Sequence, residues 1–117
     1  MRRGSLSEAE MNRRLALIEP VTSYDDIAQC DVVIEAVFER IPVKEEVFKK
    51  LDEVMKPGAL LYTNTSGIDI MANATKRPQD VAGTHFFAPA NVMKLFEVVK
   101  GAKSAPDTLA TAMDLGR

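Results

Sequence analysis

The sequence predicts an α/β domain built on a mostly parallel sheet with flanking helices. Three observations carry that expectation. Two β-branched or apolar runs, Asp31–Phe38 and Ala59–Thr63, are nearly continuous, as strands covered on both faces are. Between them lies one helical stripe, Val47, Phe48, Leu51, Val54 and Met55. The polar residues most able to do chemistry, Glu39, Asn64, Ser66 and His85, fall just after strand-like segments, where ligands bind in parallel sheets.

The elements follow in chain order. The polar first dozen residues are expected to be frayed. Ser5 and Ser7 each precede a glutamate (Glu8, Glu10) by three positions, the reciprocal N-cap signature. A helix from about Ser7 to Leu17 should follow, with Met11, Leu15 and Ile18 on one side and Pro20 as its stop. Val21-Thr22 reads as a very short strand, and Ser23 as the cap of a short helix, Tyr24–Gln29. Pro42 opens the helix that carries the apolar stripe, and Lys56-Pro57-Gly58 closes it. The charged run Lys44–Lys50 is expected on its solvated face. Ile68–Ala74 is a short helix, Val81–Phe87 and Lys94–Val99 are strands, and Pro106–Leu115 closes the chain with Leu109 and Met113 inward. Strands separated by helices imply βαβ units.

Composition narrows the function. The 117 residues make a single domain of residues 1–117, with 46% hydrophobic and 27% charged residues, a globular rather than a disordered balance. Fifteen Lys and Arg against 17 Asp and Glu leave a formal net charge of −2, so nothing favours phosphate backbones and no nucleic-acid partner is expected. Apolar stretches such as Val32–Ile34 and Ala59–Tyr62 are far below the ~20 residues of a membrane helix. No apolar stretch follows the basic Met1-Arg2-Arg3, so no secretory leader is expected. The single cysteine, Cys30, suits a reducing compartment, and a cytoplasmic location is the expectation. With one His and one Cys, no metal site is expected.

His85, the one histidine, sits in Gly83-Thr-His-Phe-Phe-Ala-Pro89. A lone histidine is more often structural, but two phenylalanines and a proline suggest an apolar pocket favouring a neutral imidazole that can act as a base. Alternation puts Glu97 on the same strand face as Leu95 and Val99. A carboxylate there needs a partner, and His85 is the natural one. Ser66, in Thr63-Asn-Thr-Ser-Gly67, leaves two readings open. It either hydrogen-bonds a substrate oxygen or, with Asn64 and Thr65, caps the next helix. A serine hydrolase is a distant third, because no Gly-x-Ser-x-Gly elbow exists. Glu39 is placed to meet a ligand hydroxyl, and Lys44 reaches either the same ligand or water. No Gly-x-Gly occurs, so the chain carries no glycine-rich phosphate cradle of its own.

Three segments together resemble a known family. Asp31-Val-Val-Ile-Glu-Ala-Val-Phe-Glu39, Thr63-Asn-Thr-Ser66 and Gly83–Val99, in that order, are similar to the NAD-binding domain of the 3-hydroxyacyl-CoA dehydrogenases, in the form found in multifunctional fatty-acid β-oxidation enzymes. The resemblance spans roughly residues 5–117. It implies a partial, doubly wound, Rossmann-like fold that lacks the first βαβ unit with its Gly-x-Gly-x-x-Gly turn. It also implies that His85 is the base taking the proton of a 3-hydroxyl, that Glu97 orients and charge-balances it, and that Ser66 bonds the substrate oxygen. Ala36, Val37, Glu39, Lys44 and Asn64 match positions along the NAD cofactor, and the substrate would be an acyl-CoA. Two local departures stand out. Ala88 replaces a polar residue, and the stretch between Ser66 and His85 is slightly short. Without the family's first strand, the edge of strand 31–38 would be unpaired, so association with a second copy or a complementing chain is expected. Two functions follow: a dehydrogenase segment completed elsewhere, or a non-catalytic, self-associating remnant.

Overall fold

The computed structural model describes residues 6–117. The elements are α1 (Glu8–Leu15), β1 (Val32–Glu35), α2 (Ile41–Val54), β2 (Leu60–Thr63), α3 (Ile68–Asn73), β3 (Val81–Phe86), β4 (Phe96–Val99) and α4 (Pro106–Leu115), with single 3-10 turns at Tyr24–Ile27 and Pro78–Asp80. The sheet order is β1-β2-β3-β4, with the first three strands parallel and β4 antiparallel to β3.

Alternation along β2 divides the core. Leu61 turns to one face, where it packs with Phe48, Leu51 and Met55 of the α2 region, Ile68, Met71 and Ala72 of α3, and Val81. Tyr62 turns to the other, with Ala82 and Ala112 of α4. The Tyr62 hydroxyl donates to the Thr108 carbonyl at 2.7 Å, and burial pushes its pKa up. Of the α2 stripe expected from the sequence, Phe48, Leu51 and Met55 are buried in this core and Val47 and Val54 pack partly buried against it.

Several expectations are corrected. The helix capped by Ser7, whose hydroxyl accepts from the Glu10 N–H at 3.1 Å, buries none of its residues, and Met11, Leu15 and Ile18 are all exposed. Glu10 does not return the cap; its carboxylate takes Arg13 and Arg14 instead, which hold it below the usual carboxylate range. Ser5, the other proposed cap, lies outside the described residues, as do the first five of the residues expected to fray. Val21-Thr22 forms no strand. The strand at 31–38 shortens to Val32–Glu35 and is not covered on both faces: Ile34 is 44% exposed. It lies at a sheet edge, where Val33 packs partly buried against one core cluster and Val32 against the other. In α4 the inward residues are Thr108 and Ala112, with Leu109 half-buried, whereas Met113 is exposed. The position of this helix on the sheet, which periodicity does not report, decides that.

Among the described residues no helix is long and apolar enough to cross a membrane. None of them form a group of three or more His, Cys, Asp or Glu able to hold a metal ion.

Candidate functional site

The carboxyl ends of β1, β2 and β3 open together on a cleft of about 430 Å³. Glu39, Asn64, Ser66, His85 and Glu97 all line it, so five sequence-singled residues from four segments share one wall system.

The centre is a cross-strand pair. His85 and Glu97 are directly opposed in the antiparallel ladder, a position that brings Cβ atoms to about 4.5–5.5 Å. The imidazole Nδ1 lies 3.5 Å from Glu97 Oε1. This contact lets the carboxylate orient the ring and leaves Nε2 for a ligand. The ring edge meets Phe87 at 5.3 Å, whereas Phe86 crosses to the opposite face and stacks on Phe96 at 4.6 Å. The expected apolar pocket is not formed: the His85 and Glu97 side chains are 49% and 54% exposed. Leu95 and Val99, which share the Glu97 face, are open too, so the carboxylate stays solvated beside its partner.

The loop after β2 carries Asn64 and Ser66. The helix it precedes is capped by Gly67 with no side-chain bond, so Asn64, Thr65 and Ser66 are not spent on capping α3. Thr65 Oγ1 makes only a long contact, 3.5 Å, to the Gly67 N–H. Asn64 Oδ1 is buried with no hydrogen-bond partner, an acceptor in the cleft wall that a ligand donor would satisfy. The cleft floor is Gly83, where an added Cβ would lie 2.9 Å from Ile68 Cδ1 and 3.0 Å from Val99 Cβ.

Around the β1 loop the structure departs from the sequence reading. Ala36 and Val37 are exposed, but the Val37 N–H is already donated to Glu35 Oε1 at 2.7 Å. Lys44, expected in water or on a ligand, is buried. Its ammonium bonds Glu35 Oε1 at 2.8 Å and lies 3.4 Å from Glu39 Oε2, whose carboxylate is 68% exposed. Glu35 and its third partner, Thr63 Oγ1 at 2.6 Å, were not singled out from the sequence as site residues. The available signal was a glutamate closing an otherwise apolar strand. Thr84 is also buried, with Oγ1 unpartnered, on the opposite sheet face by alternation.

A larger cavity, about 660 Å³, lies at the other end of the sheet. Arg77, which lines it with Lys49 and Lys76, is spent on Asp52 and on the carbonyls of Asp52, Met55 and Lys56, and none of Glu39, Asn64, Ser66, His85 and Glu97 lines it, so the smaller cleft is the better site.

Comparison with known proteins supports the fold and shows the family. The family described as "3-hydroxyacyl-CoA dehydrogenase, NAD binding domain" matches residues 1–117. The peroxisomal bifunctional enzyme of Danio rerio is 50% identical over 105 residues, covering 88% of this chain and 15% of that protein. The 3-hydroxyadipyl-CoA dehydrogenase of Escherichia coli (strain K12) is 46% identical over 115 residues, covering 97% of this chain and 24% of that one. The crystal structure of 3-hydroxybutyryl-CoA dehydrogenase from Escherichia coli K12 superimposes with a TM-score of 0.91 at 44% identity, over 97% of this chain and 25% of that one. This chain therefore spans a quarter or less of these relatives, and its architecture is Rossmann-like. The chain belongs to the 3-hydroxyacyl-CoA dehydrogenase family, of which it is an NAD-binding domain.

Proposed function

We propose that this chain is a segment of an NAD-dependent dehydrogenase that oxidises (S)-3-hydroxyacyl-CoA to 3-ketoacyl-CoA in fatty-acid β-oxidation, with turnover completed by further segments or a partner chain. The observation that carries the reading is the His85–Glu97 pair opening on the same cleft as Ser66 and Asn64. His85 accepts the 3-hydroxyl proton, and Glu97 stabilises the imidazolium across the ladder. Ser66, free of a capping role, donates to the substrate oxygen. Glu39 and Asn64 offer acceptors suited to the hydroxyls and amide of a nicotinamide riboside, and Ala36–Val37 line its path. No glycine-rich turn stands ready for the pyrophosphate among the described residues. When bound, NAD supplies the hydride acceptor. The setting proposed is a reducing one, the cytoplasm, which the exposed thiol of Cys30 suits; relatives named as peroxisomal mark the other compartment to test.

The test is calorimetry with NAD together with NADH-dependent reduction of acetoacetyl-CoA. Saturable NAD binding and a turnover abolished by His85→Ala are the expected results. Absence of both, with concentration-dependent association retained, would establish the second reading, a self-associating domain without activity; the open edge of β1 favours that one.

A further inference from the structure

The first turn of α3 is gripped by the two strands that carry the His85–Glu97 pair. Ile68, 4% exposed, fills the space between two glycines. A Cβ on Gly83, two residues before His85, would lie 2.9 Å from Ile68 Cδ1. One on Gly101, four residues after Glu97, would lie 2.7 Å from Ile68 Cγ2 and 3.1 Å from Asp69 Oδ1. Beside that contact the Ala102 N–H donates to Asp69 Oδ1 at 2.8 Å. The segment meeting the turn is itself anchored: the Gly101 N–H donates to Ser104 Oγ at 3.0 Å, and Ser104 Oγ donates to the Val81 carbonyl at the start of β3. A glycine inside a strand, as Gly83 is, weakens that strand and marks a close approach of other groups. Core packing alone asks for an apolar residue at position 68. It does not ask for two bare Cα atoms around it, nor for a carboxylate tie to the backbone after β4.

We propose that Ile68 and Asp69 are positioning residues for Ser66. Ser66 is exposed in the cleft wall and stands two residues ahead of the turn, with only Gly67 between. Its place relative to His85 and Glu97 follows from where the turn sits, and the turn sits where β3 and the segment after β4 hold it. Ile68 sets the spacing, and the Asp69 carboxylate keeps the turn from sliding along the strands. The consequence, but not the geometry, rests on the reading above of Ser66 as donor to the substrate oxygen.

The test compares the 117-residue chain with the double variant Ile68→Val/Asp69→Ala, which removes the methyl at Gly83 and the tie to Ala102 and leaves every cleft-lining residue in place. Amide exchange at Ala102 rises whatever the role of these residues, and only verifies that the bond is gone. Two other readouts decide. In the free chain, nitrogen relaxation at the Ser66 amide should report an order parameter falling from about 0.85 to below about 0.6. In NADH-dependent reduction of acetoacetyl-CoA, corrected for the folded fraction from urea curves, turnover should drop about tenfold, within what a displacement of ~1 Å costs. That drop should vanish in a Ser66→Ala background, because residues acting through Ser66 then have nothing left to position. Ile68→Val/Asp69→Asn, which returns an acceptor to Ala102, should recover most of both losses, and no recovery would overturn the assignment of Asp69. An unchanged Ser66 order parameter, or an equal loss of turnover with and without the Ser66 hydroxyl, would show the turn to be structural only. If the wild-type chain shows neither NAD binding nor turnover, the dehydrogenase reading fails for the isolated chain, while the Ser66 order parameter still decides the positioning role. Should the double variant not fold, Asp69→Ala alone, which removes only an exposed contact, carries the same comparison.

Discussion

Arg77 closes the end of a helix that lies well upstream of it. The last carbonyls of an α-helix lack partners within the helix. At the end of α2 the Asp52 carbonyl receives Arg77 Nη2 at 3.1 Å, and just beyond the helix the Met55 and Lys56 carbonyls receive Nη2 at 3.0 Å and Nη1 at 2.8 Å, while Nε bonds Asp52 Oδ1 at 3.0 Å. Only a planar fork of donors does all of this at once. Pro57-Gly58 explains why the helix stops, with Gly58 at φ +83°, but not how its end is satisfied. Arg77→Ala should therefore cost about 2–3 kcal/mol, and Arg77→Lys, which keeps the charge and loses the fork, about 1–2 kcal/mol. Urea denaturation checks both. Equal midpoints for wild type and Arg77→Ala would show that water caps the helix as well. The same arginine lowers the Asp80 carboxyl pKa, but burial outweighs it and raises that group overall.

At the scale of elements, α3 meets β3 through the bare Cα of Gly83. An added methyl would stand 2.9 Å from Ile68 Cδ1, a movable tip, and 3.0 Å from Val99 Cβ, which is held by the ladder. Gly83→Ala should destabilise by about 1–3 kcal/mol, as overpacking does. Adding Ile68→Val, which deletes the nearer clashing atom, should recover part of that loss. Additive losses in the double variant, measured by denaturation, would mean that α3 slides rather than clashes. These elements also show what was legible in the sequence. Apolar runs and Pro and Gly punctuation located α2, β2, β3 and α4 because local periodicity and backbone limits determine them. The His85–Glu97 pairing was legible because alternation and one unbalanced carboxylate left few partners. Lys44 was not, since a lysine in a charged run reads as solvated until the fold lowers a buried carboxylate onto it. Nor was the exposure of His85, which depends on what covers a face rather than on neighbours in sequence.

At the scale of the molecule, the two sheet faces are unequally covered. One carries α2 and α3; the other carries α4, whose contacts are with β3 and β4. Ile34 belongs to the second face, in register with Tyr62 and through it with Ala82, yet it is 44% exposed, and Phe86 farther along that face is 45% exposed. Beside Ile34, β1 has no neighbour on its outer side among the described residues. Free strand N–H and C=O groups next to an apolar face are a template for a further strand. The edge is short but carries no outward charge and no proline: Val32, Val33 and Ile34 are uncharged, and the one acid, Glu35, is turned inward onto Lys44. A second copy, or a complementing chain, can therefore add there through backbone bonds and cover Ile34. Light scattering across a concentration series should show association. Ile34→Lys, which plants a charge on that face without touching the buried Glu35–Lys44 pair, should shift the chain toward monomer while leaving its urea midpoint nearly unchanged. A monodisperse monomer for the wild-type chain at every concentration would remove the edge from the account.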